Sequence, residues 1–286
     1  MSVNITTAFV EQYKANVLHL AQQKGSRLRD AVRTETVTGK SHFFERIGST
    51  AAEKRASRHS DTPRMDTPHS RRKVSLDDYD WADLIDNEDK VRLLISPQSE
   101  YALAGAWAMG RAMDDAIIAA ATGTAYTGVS GGDSQTLPAG QKVAHASLGL
   151  TLAKLLSAKE VLDAADVDPD EPRFVVCSAG QIADLLNVTQ VTSSDYATVK
   201  ALAAGQIDTF LGFKFIQSQR LGQDSTPSRQ CLAFTKSAIG LAVGSDITTK
   251  ISERADKNYA TQVFLSMTIG ATRIEEEKMV EIAANE

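Results

Sequence analysis

Apolar residues recur at three- and four-residue steps in one stretch above all others. Between Ser96 and Gly123, positions Ala102, Ala106, Met109, Met113, Ile117 and Ala120 fall on one helical face. Good helix formers, alanine foremost, fill the interior. Pro97 has the φ suited to a first helical position, and Ser96 before it supplies a capping oxygen. Gly123 offers a residue that closes a helix in the left-handed region. Such a helix is about 40 Å long at ~1.5 Å per residue, enough to cross a whole domain as a spine.

The rest of the chain hangs on this stretch. Phe9, Tyr13, Val17, Leu20 and Ala21 predict an amphipathic helix opening residues 5–30, interrupted at Gly25 and Ser26. After the spine, a Gly/Ser/Thr-rich stretch through residue 144 reads as a surface loop or short hairpin. A second helix is predicted over about 147–165, ended by Asp168-Pro169, and a compact buried strand over 173–178 (RFVVCS). Residues 179–188 and 196–204 read as short helices. Phe213 and Phe215 share one face of a strand over 210–218. A polar loop follows over 221–230. CLAFTKSAIGLAVG then holds one or two apolar elements. Val263, Leu265, Met267, Ile269 and Ala271 alternate in the clearest strand of the chain, which suits a partner of the arm or of the spine. The end, EEEKMVEIAANE, reads as a short tail of mixed charge. No internal repeat is visible, and the organisation is α+β.

Charge changes this picture in one region. Residues 45–73 hold few apolar side chains, two Thr-Pro pairs, and Lys54, Arg55, Arg58, Arg64, Arg71, Arg72 and Lys73. They cannot build a core of their own, so they are disordered alone or held against a partner. Residues 74–89 then turn acidic with Asp77, Asp78, Asp80, Asp83, Asp86, Glu88 and Asp89, threaded by Val74, Leu76, Tyr79 and Trp81. The first part suits a strand and ADLID one helical turn. Basic out and acidic back predicts a two-stranded arm with opposite charge on its legs. A nucleic-acid-binding module using 54–73 is the alternative, with arginines on phosphates. Residues 45–73, however, contain no Phe, Tyr or Trp for stacking, and the acidic leg opposes a phosphate backbone. An intersubunit arm accounts for both blocks. The candidate subunit interface is therefore Arg55, Arg58, Arg64, Arg71 and Arg72 against Asp77, Asp78, Asp80 and Asp83.

The chain has 286 residues and a net charge of -5, which speaks against a dedicated nucleic-acid binder while allowing local patches. No apolar run approaches the ~20 residues of a bilayer span, and the N-terminus lacks the plan of a signal peptide. Cys177 and Cys231 sit in apolar runs and read as buried free thiols of a reducing compartment rather than a disulfide.

Candidate chemistry is sparse. Gly128-Val129-Ser130-Gly131-Gly132 fits a nucleophile elbow, which makes a serine hydrolase using Ser130 the enzymatic alternative. The elbow needs a strand before and a helix after it, whereas here a helix precedes and a loop follows. The sole later histidine is His145. No H-E-x-x-H, C-x-x-C or phosphate-cradling glycine motif occurs, so no metal or cofactor is expected. Asp114-Asp115 on the spine reads as solvated acids rather than a catalytic pair, because neighbouring helical positions diverge.

Several long strings resemble a known family. DTP (61–63), TPHSRR (67–72), DWADLID (80–86), DKVRLL (89–94) and GRAMDDAIIAAATGTA (110–125) are similar to tailed-phage major capsid proteins. FVEQYKANVLHLAQQKGSRLR and FFERIG (43–48) resemble the same family. The resemblance implies the Hong Kong 97 phage capsid fold, with an N-terminal arm (1–40), an extended loop (41–90), a peripheral domain on a spine helix (91–145), an axial domain (146–244) and a return to the peripheral domain (245–286). It implies self-assembly through hexamers and pentamers into an icosahedral shell around packaged DNA, a place in the virion after assembly in the host cytoplasm, and neither catalysis nor a membrane. A portal and a separate scaffolding protein are expected partners, since the N-terminus is short for a built-in scaffold. Some relatives join subunits by Lys–Asn isopeptide bonds, and no motif assigns that to Lys54 or Lys73.

Overall fold

A computed structural model describes residues 21–55, 57–58, 61–62, 64–86, 97–186, 209–223 and 228–286. The helices expected over residues 5–20 and 196–204 lie outside them. The strands are β1 (Arg33–Thr36), β2 (Ser41–Ile47), β3 (His69–Ser75), β4 (Asp77–Ile85), β5 (Ala125–Thr127), β6 (Asp133–Gln135), β7 (Lys142–Val143), β8 (Arg173–Cys177), β9 (Thr209–Phe210), β10 (Phe213–Gln217), β11 (Ser228–Thr235), β12 (Ile239–Arg254), β13 (Ala260–Arg273) and β14 (Met279–Asn285). The helices are α1 (Pro97–Thr122), α2 (Leu152–Ala164) and α3 (Ala179–Leu186).

The spine is α1, 26 residues long. Met109, Met113, Ile117 and Ala121 are buried on it, while Ala102, Ala106 and Ala120 are half-buried. Each fully buried Met or Ile contributes about 1.5–3 kcal/mol. Gly123 does not close the helix at positive φ as its position suggests. Arg273, fully buried, donates from Nη1 to the carbonyls of Ala121 and Gly123, both at 2.8 Å. A cation thus holds the negative end of the helix.

A four-stranded sheet in the order β1-β12-β13-β4 packs on the spine. Its core strand is β13, where Val263, Leu265, Met267 and Ile269 are buried in alternation. This strand lies against α1, as expected of a partner of the spine, and pairs with β4 of the charged loop; it does not pair with the N-terminal arm, whose strand β1 lies on β12 instead. A six-stranded sheet, β7-β14-β11-β8-β10-β9, forms a second layer. All of β8 is buried because β10 and β11 flank it on both edges. A third sheet, β2-β3-β5-β6, carries the base of the charged loop, and β5-β6 is the expected hairpin after the spine.

Several sequence readings are corrected. ADLID is not a helical turn, because β4 runs through Ile85 in register with Thr261–Ile269. The basic and acidic legs do not pair with each other. Basic β3 pairs with β2, the chain crosses at Leu76, and acidic β4 pairs with β13 in another sheet. The crossing is close enough that a Cβ on Gly270 would lie 2.1 Å from the Ser75 carbonyl oxygen. Finally, the mixed-charge tail is the buried strand β14, with Met279, Val280 and Ile282 at 0% exposure and pairs to both β11 and β7. β12 runs unbroken across residue 244. The helix after residue 146 begins at Leu152, capped by the Thr151 hydroxyl. The strand expected over 210–218 splits at Leu211-Gly212.

Candidate assembly surfaces

Strand alternation decides which charges stay inside the subunit. On β3, Arg72 and Val74 point inward and are buried, while Arg71 and Lys73 are half-exposed. Arg72 Nη2 donates to both carboxylate oxygens of Glu276, at 2.6 and 2.7 Å, and Nε donates to the Ile274 carbonyl at 3.3 Å. Arg46 on β2 reaches the same Ile274 carbonyl at 2.7 Å. Arg273 Nε lies 3.9 Å from Glu276 Oε1. One buried carboxylate therefore gathers three arginines, two from the loop base and one from the end of β13. Burial pushes the Arg273 guanidinium below its ordinary value, and Glu276 opposes that shift. Arg72, expected to face a neighbouring subunit, belongs to this internal cluster instead.

The other candidates lie outward. Arg71 pairs with Glu45 at 3.0 Å and sits over the Phe43 ring at 5.2 Å. Arg55 donates to the carbonyls of Ser57 and Arg58. Arg58 is exposed, and Arg64 and Asp66, 3.6 Å apart, are each more than nine-tenths exposed. On β4, Asp77, Asp78 and Asp80 are exposed and Asp83 is half-buried. Asp78 accepts from Thr268 at 2.6 Å and Asp83 from the Leu84 amide at 2.8 Å. The loop arginines and the β4 acids are not brought together within one subunit: no ion pair joins them among the described residues.

A second cluster holds the N-terminal arm. Asp114, read from sequence as solvated, is fully buried. It accepts from Gln23 Nε2 and Ser26 Oγ at 2.5 Å each, and from the amides of Arg27 and Leu28 at 3.1 Å. One turn earlier, Gly110 lets the arm lie on the helix, since a Cβ there would sit 2.5 Å from Gly25 and Ser26 backbone atoms. Arg111 donates to Gln22 and the Gln23 carbonyl. The neighbouring Asp115 is held by Arg220 through a two-pronged contact. Arg29 grips Asp246 on β12, and that hydrogen bond holds the Asp246 carboxyl below and the Arg29 guanidinium above their ordinary values. The signal in sequence was Gly110 and Asp114 four apart on the face that also carries Met113 and Ile117. Glu276 had no such signal.

The chemistry candidates resolve plainly. Ser130 is exposed in the turn between β5 and β6, with a strand where an elbow needs a helix. His145 Nδ1 accepts from the Ser147 amide. Among the described residues no cluster of His, Cys, Asp or Glu is arranged to hold a metal, and no helix is long and apolar enough to cross a membrane. Cys177 and Cys231 are free and buried, and burial pushes the Cys177 thiol up to about 12 and Cys231 further.

Known structures share this architecture. The capsid of the cyanophage P-SCSP1u superposes with a TM-score of 0.77 at 20% identity, covering 99% of this chain and 95% of that one. A structure from Mycobacterium phage Che8 gives 0.69 at 17% identity, over 95% and 96% of the two chains. The capsid of Ralstonia phage GP4 gives 0.70 at 11% identity, over 96% and 95%. At these identities the likeness is one of fold, the α+β fold of tailed-phage capsids of the Hong Kong 97 type. No curated protein matches the chain. A model of the phage capsid protein family matches residues 5–286, nearly end to end, and the chain belongs to that family.

Proposed function

We propose that copies of this chain form the wall of an icosahedral tailed-phage head enclosing the packaged genome. The observation that carries the reading is a folded subunit from which a basic loop stands out, exposed, beside an acidic strand that its own arginines do not reach. Arg55, Arg58, Arg64 and Arg71 of one copy meet Asp77, Asp78, Asp80 and Asp83 of the next. Arginine suits this because its planar fork grips carboxylates at two points. One exposed pair is worth ~0–1 kcal/mol, but a closed shell repeats it at every equivalent contact.

In this reading residues 1–40 are the N-terminal arm, 41–90 the extended loop and 91–145 the peripheral domain. The axial domain takes 146–244 and, by its pairing, β14. The remainder of 245–286 returns to the spine. Hexamers and pentamers of the chain build the shell, with a separate scaffolding protein and a portal as partners. DNA is enclosed without being read. The mature protein resides in the virion after assembly in the host cytoplasm. The role involves no catalysis, and the glycines around Ser130 serve a hairpin turn.

Electron microscopy of the purified chain tests this. Closed shells of uniform size are expected. A chain that stays monomeric across salt and concentration while binding DNA through the loop overturns it.

A further inference from the structure

The acidic edge of the spine sheet offers main-chain groups as well as charge. β4 pairs with β13 through nine successive residues, from Asp77↔Ile269 to Ile85↔Thr261, without a bulge. Nothing among the described residues pairs with its other edge. The Leu84 amide donates to its own neighbour, Asp83 Oδ1, at 2.8 Å, the way an edge amide is satisfied when no strand takes it. A regular, open edge is a template for strand addition.

The loop supplies a segment suited to it. β2 and β3 part after the Gly48 amide bonds the Pro68 carbonyl at 2.9 Å. Residues 49–55 then run on exposed, outside any strand. They contain no proline, carry Ala51 and Ala52 at their centre, and end in Lys54-Arg55. The returning limb carries Pro63 and Pro68, which lack ladder donors.

We propose that Ser49–Arg55 of a second copy of this chain adds to the free edge of β4 as a fifth, antiparallel strand. Setting Ala52 opposite Ala82 puts Lys54 opposite Asp80 and Thr50 opposite Leu84. Backbone bonds then fix register, and the opposed charges select this edge over the β12 edge, where Lys250 and Arg254 interrupt the acids. This rests on the shell reading above and specifies the contact within it.

Two experiments separate the inference from that reading. Full-length Ala52→Cys and Ala82→Cys chains are mixed, assembled and oxidised. Because the native thiols are buried, a disulfide-linked dimer on a non-reducing gel reports the engineered pair, and it is expected in the mixture and in neither variant alone. Ala82→Pro removes an amide from the Leu84 side of an edge strand without changing charge. It is expected to leave the circular dichroism of the subunit unchanged and to lower shell yield by about tenfold or more. If wild type forms shells but the mixture gives no dimer, the inference is overturned while the shell reading stands. A dimer formed equally well with Thr249→Cys on β12 also overturns it. An Ala82→Pro chain that folds and assembles as wild type does so too. If Ala82→Pro fails to fold, the cross-link alone decides. If wild type forms no shells, the shell reading itself fails.

Discussion

The arm over residues 22–36 and the described residues of the loop over 49–67 both lie outside the α-helices, and they are held in opposite ways. The arm is tied down at every turn: Asp114 takes two of its amides, Arg29 grips Asp246, and β1 lies parallel on β12. The loop is tied at its base, where Arg46 and Arg72 converge on Glu276 and Ile274. Beyond Gly48 the described side chains of the loop are exposed. Both segments are polar, so composition does not separate them. The difference lies in whether a buried partner of opposite character waits on the body. Where it does, the segment becomes part of the subunit; where it does not, the segment remains for another copy.

Substitutions sharpen or break this contrast, beginning with the largest effect. Arg72→Glu places a second carboxylate against buried Glu276 and removes its bidentate partner. The cost should reach about 3–5 kcal/mol or more, enough to unfold a subunit of ordinary stability. Denaturant unfolding of the soluble fraction measures it, and a stable variant would mean that the loop base is not locked. Asp114→Ala leaves Gln23, Ser26 and two amides without their acceptor. It should cost about 2–4 kcal/mol and raise hydrogen exchange over residues 22–28 while the loop base stays protected. Unchanged exchange there would show that the arm is held by something else.

Reversing Arg55, Arg58 and Arg64 to Glu should shift subunit stability by no more than about 0.5 kcal/mol, as surface changes do. Shell formation should nonetheless fail in sedimentation, and normal assembly would remove these residues from the interface. The smallest effect is a pH dependence. Arg29 depresses the Asp246 carboxyl, so the pair stabilises above that group's ordinary value of 3.8 and the contribution is lost as pH falls through the lower folded value. Asp246→Asn should therefore be slightly less stable than wild type near neutrality, by less than about 1 kcal/mol for so exposed a pair, and should match it in strong acid. Stability measured against pH for both chains checks the sign.

Local periodicity was enough to mark α1, the buried run of β8 and the alternation of β13. Each of these patterns reports one face of one element, and the residues that form it are neighbours along the chain. The strings shared with phage capsid proteins pointed to the fold and role. What the sequence left undetermined were matters of partner. Asp114 and Asp115 are adjacent and chemically alike, yet one is buried under the arm and the other meets Arg220, because a helix turns by about 100 degrees per residue and the arm crosses only one face. Arg71 and Arg72 part for the corresponding reason on a strand, whose faces alternate. The end of the chain reads in sequence only as a short tail of mixed charge, yet β11 had an edge to fill and Met279, Val280 and Ile282 could fill it. The sequence by itself determined that α1 is a helix and that β8 and β13 are strands, since those patterns follow from contacts within a few residues. Only the tertiary structure decided which charges are locked inside and which are left for a neighbour, since that depends on what long-range packing brings opposite them.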